Sequence, residues 1–256
     1  MNEIITKKKG HILLIELNRT DKMNAFSTTM LLQLGDAFTM LEDDSDLRCG
    51  LLYTKGKHFT AGLDLQDVSN AVEKGIDLFP PNKVDAVQLF GRERTKPMVV
   101  AAQGNCYTIA IELILAADIC VANANCKFGQ IEIKRGIFPF GGATIRFPQR
   151  CGWGNAMRYL LTGDFFDTQE AFRMGLVQEI SDTPFEKALE IATRIAQQAP
   201  LGVQATIMNA RQAMEIGKEA AVKDLMPTLF SLMNSEDAKE GMMSFIERRN
   251  AKFTGK

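Results

Sequence analysis

The sequence predicts an α/β fold that gives way to an all-helical C-terminal region. Two observations carry this expectation. Through roughly the first 180 residues, short apolar runs alternate with segments of helical periodicity. After Glu179-Ile180 the strand signals stop, and four successive segments keep apolar residues at helical spacing. Parallel strands joined by right-handed crossovers are the economical way to connect the alternating part.

Taken in order, His11 to Leu17 and Cys49 to Thr54 read as strands. Between them, Ser27 to Glu42 places Met30, Leu31, Leu34, Ala37, Phe38 and Leu41 on one helical face. Met98 to Gln103 and Ile119 to Ala122 read as further strands flanking a helical segment from Ile109 to Ala116. Ser69 to Val84, with Lys74-Gly75 and Pro80-Pro81, has the composition of a long loop or frayed helix. Helices are expected at Pro184 to Ala199, Gly202 to Met214, Ala220 to Met233 and Ser235 to Arg249. Their apolar residues, Leu225, Leu229, Phe245 and Ile246 among them, exceed what a peripheral arm hides by itself, so docking on the core or on another subunit is expected. Trp153 and the 13 methionines read as packing residues, and Lys7-Lys8-Lys9 as a solvated edge.

A chain of 256 residues can bury one sizeable core. Its 30 Lys+Arg against 31 Asp+Glu leave a formal net charge of -1, which supplies no basic field for nucleic acid or an anionic membrane. The longest apolar stretches, such as Ala110 to Ala117, break well before the ~20 residues that a bilayer crossing takes. Five cysteines with no C-x-x-C pair, and a start without an apolar signal core, fit a reducing cytoplasm. Only His11 and His58 are available, so clustered-histidine metal sites and most Ser/His/Asp relays lack support, and no metal is expected. Neither G-x-G-x-x-G nor the P-loop pattern occurs. Chemistry then rests on carboxylates and backbone dipoles.

Two glycine-containing turns stand at ends of predicted strands: Gly56 to Leu65, and Gly104-Asn105-Cys106-Tyr107. Such positions in an α/β sheet present N–H groups at a following helix N-terminus to an anionic oxygen, although each can equally be a plain strand-to-helix connection. Glu112 lies in the apolar run Ile109 to Leu115, where an ionised carboxylate is expensive unless paired or hydrogen-bonded. It reads either as a buried acid with a raised pKa or as a helix-start carboxylate held by the dipole. Glu132, between Ile131 and Ile133, reads either as a second acid or as an exposed strand residue paired with Lys134-Arg135. His58 reads as a loop residue, since no Ser or Cys is tied to it by motif. Together the two carboxylates and the N–H-rich turns have the parts for acid-base work beside an oxyanion hole.

These residues resemble the crotonase (enoyl-CoA hydratase/isomerase) superfamily. The likeness runs through His58-Phe59-Thr60-Ala61-Gly62-Leu63-Asp64-Leu65, Gly104-Asn105 to Ile111-Glu112-Leu113, and Glu132 with Gly136 to Gly142, in matching order and spacing. It extends from Leu17-Asn18-Arg19 and Asn24-Ala25, through Leu161 to Asp164, Ala171 and Gly175-Leu176-Val177, to Glu240-Gly241 and Phe245 to Arg249, covering nearly the whole chain. The resemblance implies a spiral of ββα units over residues 1–198 and a helical trimerisation region over 199–256, assembled as a trimer or dimer of trimers. It also implies an acyl-coenzyme A thioester substrate, with no separate cofactor because coenzyme A is part of that substrate. By position, the backbone N–H groups of Leu63 and Ile109 would hold the thioester oxygen, and the hydratase acids fall on Glu112 and Glu132. Arg19, Lys22, Met23, Ala25, Ala61, Asp64 and Leu65 would bind coenzyme A, with Arg19, Lys22 and Lys252 near its phosphates, although Arg19 reads equally as a solvated loop charge.

Thr108-Ile109-Ala110 departs from the family, whose chains typically carry glycines there, and the β-branched Ile109 adds bulk near the acyl path. Leu63 in Ala-Gly-Leu-Asp-Leu looks more like the Δ3,Δ2-enoyl-CoA isomerases. The leading expectation is hydration of a 2-enoyl-CoA across C2–C3, because both acid positions are filled. An isomerase shuttling a proton through Glu132 is the alternative, and a noncatalytic acyl-CoA-binding subunit ranks behind both. The additional carboxylate of dienoyl-CoA isomerases would fall at Phe140.

Overall fold

The computed structural model describes residues 2–256. Its large sheet has six strands in the order β1-β2-β3-β4-β6-β9, a smaller one three in the order β5-β7-β8. The large sheet uses β1 (Ile4–Lys9), β2 (Ile12–Leu17), β3 (Cys49–Thr54), β4 (Met98–Ala102), β6 (Ile119–Ala122) and β9 (Glu179–Ile180); the small one uses β5 (Asn105–Tyr107), β7 (Lys127–Gly129) and β8 (Phe165–Asp167). From β2 onward the large sheet is parallel, as the alternation of strands and helices predicts, with β1 antiparallel at its edge.

The chain climbs in repeated steps. One strand enters the large sheet, the next enters the small sheet, and a helix follows: β4, β5, then α3 (Ile109–Ala116). This is the ββα progression that the family resemblance implies. The inner strands β2, β3 and β4 are buried on both faces, so they read as continuous apolar runs rather than alternating ones. Leu13, Ile15, Leu52 and Val100 pack with α1 (Thr28–Asp43) on one face, while Ile12, Leu14, Leu51 and Val99 meet Ala188, Ala192 and Ala196 of α7 (Pro184–Ala196) on the other. Ser27 caps α1 by accepting the Met30 N–H at 3.0 Å, and the six residues read as its apolar face are its buried ones.

Lys7 to Lys9 close β1, an edge strand, as their reading as a solvated edge expects, and three exposed cations there discourage a further strand from pairing. The segment read as a long loop or frayed helix is both, its first residues closing α2 (Leu65–Glu73) and the rest irregular, with the helix beginning four residues before the expected start. Several other expectations are corrected. Gly104 turns with φ 60, but Asn105 to Tyr107 form β5 before the next helix. Glu132 is no strand residue: it opens a 3-10 turn over Glu132–Arg135. Trp153 is 73% exposed at the start of α5 (Trp153–Thr162), so it packs little. Six methionines of the C-terminal helices, Met208, Met214, Met226, Met233, Met242 and Met243, are exposed as well.

Those helices are α8 (Pro200–Glu215), α9 (Lys218–Met233) and α10 (Glu236–Ile246). Arg211 of α8 is held by Asp118 and the Arg94 carbonyl, and Arg48 donates to the carbonyls of Ala196 and Phe253. Yet α8 buries no residue fully and α9 only Ala221, leaving Leu225, Leu229, Phe230, Phe245 and Ile246 in solvent. No helix among the described residues is long and apolar enough to cross a membrane.

Candidate active site

All eight residues of α3 are buried, so its position is fixed by the core around it. Its first residue is Ile109, whose N–H has no helical acceptor because it lies in the first turn. One turn later stands Glu112, 5% exposed. Across from Ile109, the loop before α2 brings Leu63 alongside Phe26 in a parallel bridge. The N–H groups of Phe26 and Asp64 are taken by the carbonyls of Gly62 and Phe26, at 2.8 and 2.9 Å, whereas the Leu63 N–H has no acceptor among the described residues.

These two open donors share a cavity of about 200 Å³ with Glu112 and Glu132, walled by Ala61, Leu65, Ile137 and Phe140. The Glu112 carboxyl accepts the Gly141 N–H at 2.7 Å, and Gln130 donates to one oxygen of Glu132 at 2.9 Å. The other oxygen of Glu132 is buried without a partner. Burial pushes both acids up to about 7; the neighbouring Glu132 charge adds to the rise at Glu112, while the N–H groups of Gly141 and Ala143 oppose it. Glu112 thus answers both of its sequence readings, being a first-turn carboxylate and a buried acid with a raised pKa.

The remaining predicted residues divide. Ala61 and Leu65 line the cavity with Leu63 and Ile109. Asp64 does not: it bonds the Arg19 guanidinium at 3.0 Å, which also meets Glu3 at 3.2 Å and the Ala25 carbonyl at 2.7 Å. Arg19 therefore braces the loop. Lys22 and Met23 are exposed on that loop and Ala25 is half-buried beneath it. Lys252 lies against α10, its N–H on Glu240 at 2.7 Å, outside the cavity. His58 is a loop residue whose ring accepts the Asn105 N–H at 3.1 Å.

Sequence reasoning missed three participants. Arg135 and Thr108 line the cavity, and Gly141 supplies the N–H that holds Glu112. A hint existed for Gly141, since paired glycines before a helix often expose donors, but nothing local tied it to an acid 29 residues earlier. Asn24 is the clamp of the whole loop: fully buried with φ 52, it donates to Thr54 and the His58 carbonyl, both at 2.9 Å, and accepts the Arg19 N–H at 2.8 Å. Asn24→Ala should cost about 2–4 kcal/mol, from lost hydrogen bonds and a left-handed φ that Ala tolerates poorly. An unchanged denaturant midpoint would contradict that role.

Two proton-exchanging carboxyls beside two open N–H donors form an arrangement that can move protons next to a polarised carbonyl, the equipment of an acid-base enzyme. A family model described as enoyl-CoA hydratase/isomerase matches residues 7–256. The chain is 32% identical to enoyl-CoA hydratase EchA19 of Mycobacterium tuberculosis, over 98% of this chain and 96% of that one. It is 31% identical to the 2,3-dehydroadipyl-CoA hydratase of Escherichia coli K12 over the full length of both. The crystal structure of a probable enoyl-CoA hydratase/isomerase from Mycobacterium abscessus superposes with a TM-score of 0.96 at 48% identity, over 99% of each chain. The chain belongs to the enoyl-CoA hydratase/isomerase family, and it is an enzyme of that family.

Proposed function

We propose that this enzyme adds water across the C2–C3 double bond of a 2-enoyl-CoA thioester. The observation that carries the reading is that two buried carboxyls and two open N–H donors meet in one cavity. The N–H groups of Leu63 and Ile109 polarise the thioester carbonyl and stabilise the enolate that forms when oxygen attacks C3; one such donor is worth ~3–4 kcal/mol in comparable sites. Glu112, with the Gly141 N–H favouring its charged form, orients and deprotonates the water. Glu132, with one oxygen free of partners, delivers the proton to C2. Coenzyme A is then part of the substrate and no other cofactor takes part.

Hydration needs one acid and one base, which is the singly protonated state of the pair. Both groups lie near 7, so that state peaks there. Below it both carboxyls are protonated and no base remains; above it both are ionised and no donor remains. A bell-shaped kcat/KM centred near pH 7 is the expected profile, and a flat profile from pH 5 to 9 would remove the pair from the chemistry.

Glu132 alone could shuttle a proton between C2 and C4, which keeps a Δ3,Δ2-isomerase as the second reading, favoured by its unpartnered oxygen. A panel of 2-enoyl and 3-enoyl thioesters, followed by thioester absorbance and product identity, separates the two. We also propose that the exposed apolar faces of α9 and α10 form a subunit interface of a homotrimer or dimer of trimers, with residues 199–256 as its helical region. Sedimentation should then give a species well above 28.4 kDa at micromolar concentration. A stable monomer would reject it.

A further inference from the structure

Thr108 has φ 51 and ψ -107, a conformation that a β-branched residue rarely adopts and that glycine adopts without penalty. The conformation is nonetheless fixed. Its N–H bonds the Gly129 carbonyl at 2.8 Å, and its own carbonyl accepts from Ile111 at 2.9 Å and Glu112 at 3.3 Å. A side chain is therefore kept at a position where the backbone opposes one.

That side chain ends in a hydroxyl that is buried and has no hydrogen-bond partner, which is costly inside a protein. It stands in a particular place. Thr108 directly precedes Ile109 in the chain, and Oγ1 lies 2.5 Å from where a Cβ on Gly62 would sit, Gly62 directly preceding Leu63. The hydroxyl thus belongs to the residue that leads into the Ile109 N–H and stands against the one that leads into the Leu63 N–H, and Thr108 lines the same cavity. Neither glutamate is within hydrogen-bonding reach of it, and no other group among the described residues partners it.

We propose that the Thr108 hydroxyl is a third hydrogen-bond donor to the thioester oxygen, beside the N–H groups of Leu63 and Ile109. This rests on the acyl-thioester reading given above. The O–H donates to the carbonyl oxygen on binding, and the bond strengthens as negative charge collects there in the enolate; no covalent bond forms or breaks at Thr108. Such a donor also accounts for the departure from glycine: the side chain adds charge stabilisation where the β-branched Ile109 limits adjustment of the backbone donors.

The test uses the full-length enzyme with crotonyl-CoA for turnover and cinnamoyl-CoA as a chromophore whose absorbance shifts to the red when its carbonyl is polarised. Thr108→Val, which keeps shape and removes the hydroxyl, should lower kcat by about 10–10²-fold with little change in KM, and shrink the red shift. Thr108→Ser should retain both. Thr108→Gly, which relaxes the backbone and secures folding, should show the same reduced shift as Thr108→Val. Wild-type kcat and red shift in Thr108→Val or Thr108→Gly would overturn the proposal, leaving only a water at the hydroxyl. A Thr108→Ser variant as impaired as Thr108→Val would overturn it too, by making shape the cause. Failure of the thioester reading has a different signature: the wild-type enzyme itself would neither hydrate crotonyl-CoA nor shift cinnamoyl-CoA.

Discussion

Glu132→Gln should lower turnover of a 2-enoyl thioester by about 10²-fold or more with ligand affinity nearly unchanged, because the side chain keeps its size and loses its exchangeable proton. Glu112→Gln should do the same through loss of the base. The two losses together define hydration; an isomerase would lose activity only with Glu132→Gln. Product analysis decides the matter, since undiminished 3-hydroxyacyl-CoA formation by Glu132→Gln would sink the shared mechanism. Asp64 cannot stand in, because its carboxylate is held by Arg19 and lies off the cavity wall.

Gly141→Ala is the second large effect. A Cβ there would fall against a Glu112 carboxylate oxygen and within 2.6 Å of its Cδ, closer than any real contact. Since the Gly141 N–H is what holds that carboxylate, the clash and the hydrogen bond cannot both persist, and Glu112 must swing away. Displacing a base by about 1 Å costs on the order of 10²-fold, so turnover should fall about that much with crotonyl-CoA still bound. Gly154→Ala in α5, where a Cβ meets nothing within 4 Å, is the matched control and should remain fully active. Equal activity in the two variants would mean that the Glu112 carboxylate is not needed where it stands.

How far the sequence reached depended on how much chain each feature used. Helix α1 was legible to within one residue at each end because six apolar positions repeat over about three turns, and a helix buries Met30 to Leu41 along one face. β5, β7 and β8 were not, since three residues cannot display a period. Ile131-Glu132-Ile133 alternates like a strand, yet Ile133 is exposed and Glu132 buried, which a 3-10 turn achieves by pointing consecutive residues in different directions. Trp153 misled because bulk predicts burial only on average. At the site, a charge in an apolar run marked Glu112, whereas Thr108 was marked only by standing where the resemblance expects glycine: threonine itself is not a residue that announces a positive φ.

One consequence follows from the complete burial of α3. Ile109 opens that helix and Glu112 lies one turn along it, so the proposed oxyanion donor and the proposed base are spaced by helix geometry alone, a rise of about 1.5 Å per residue. Packed on every side, α3 has no room to slide or rotate, and the two groups travel together or not at all. The opposite wall, carrying Ile137 and Phe140 on an exposed segment, is under no such restraint. Chemistry and substrate fit are thereby mechanically uncoupled: evolution can reshape the acyl-facing wall one side chain at a time while the spacing of donor to base stays constant.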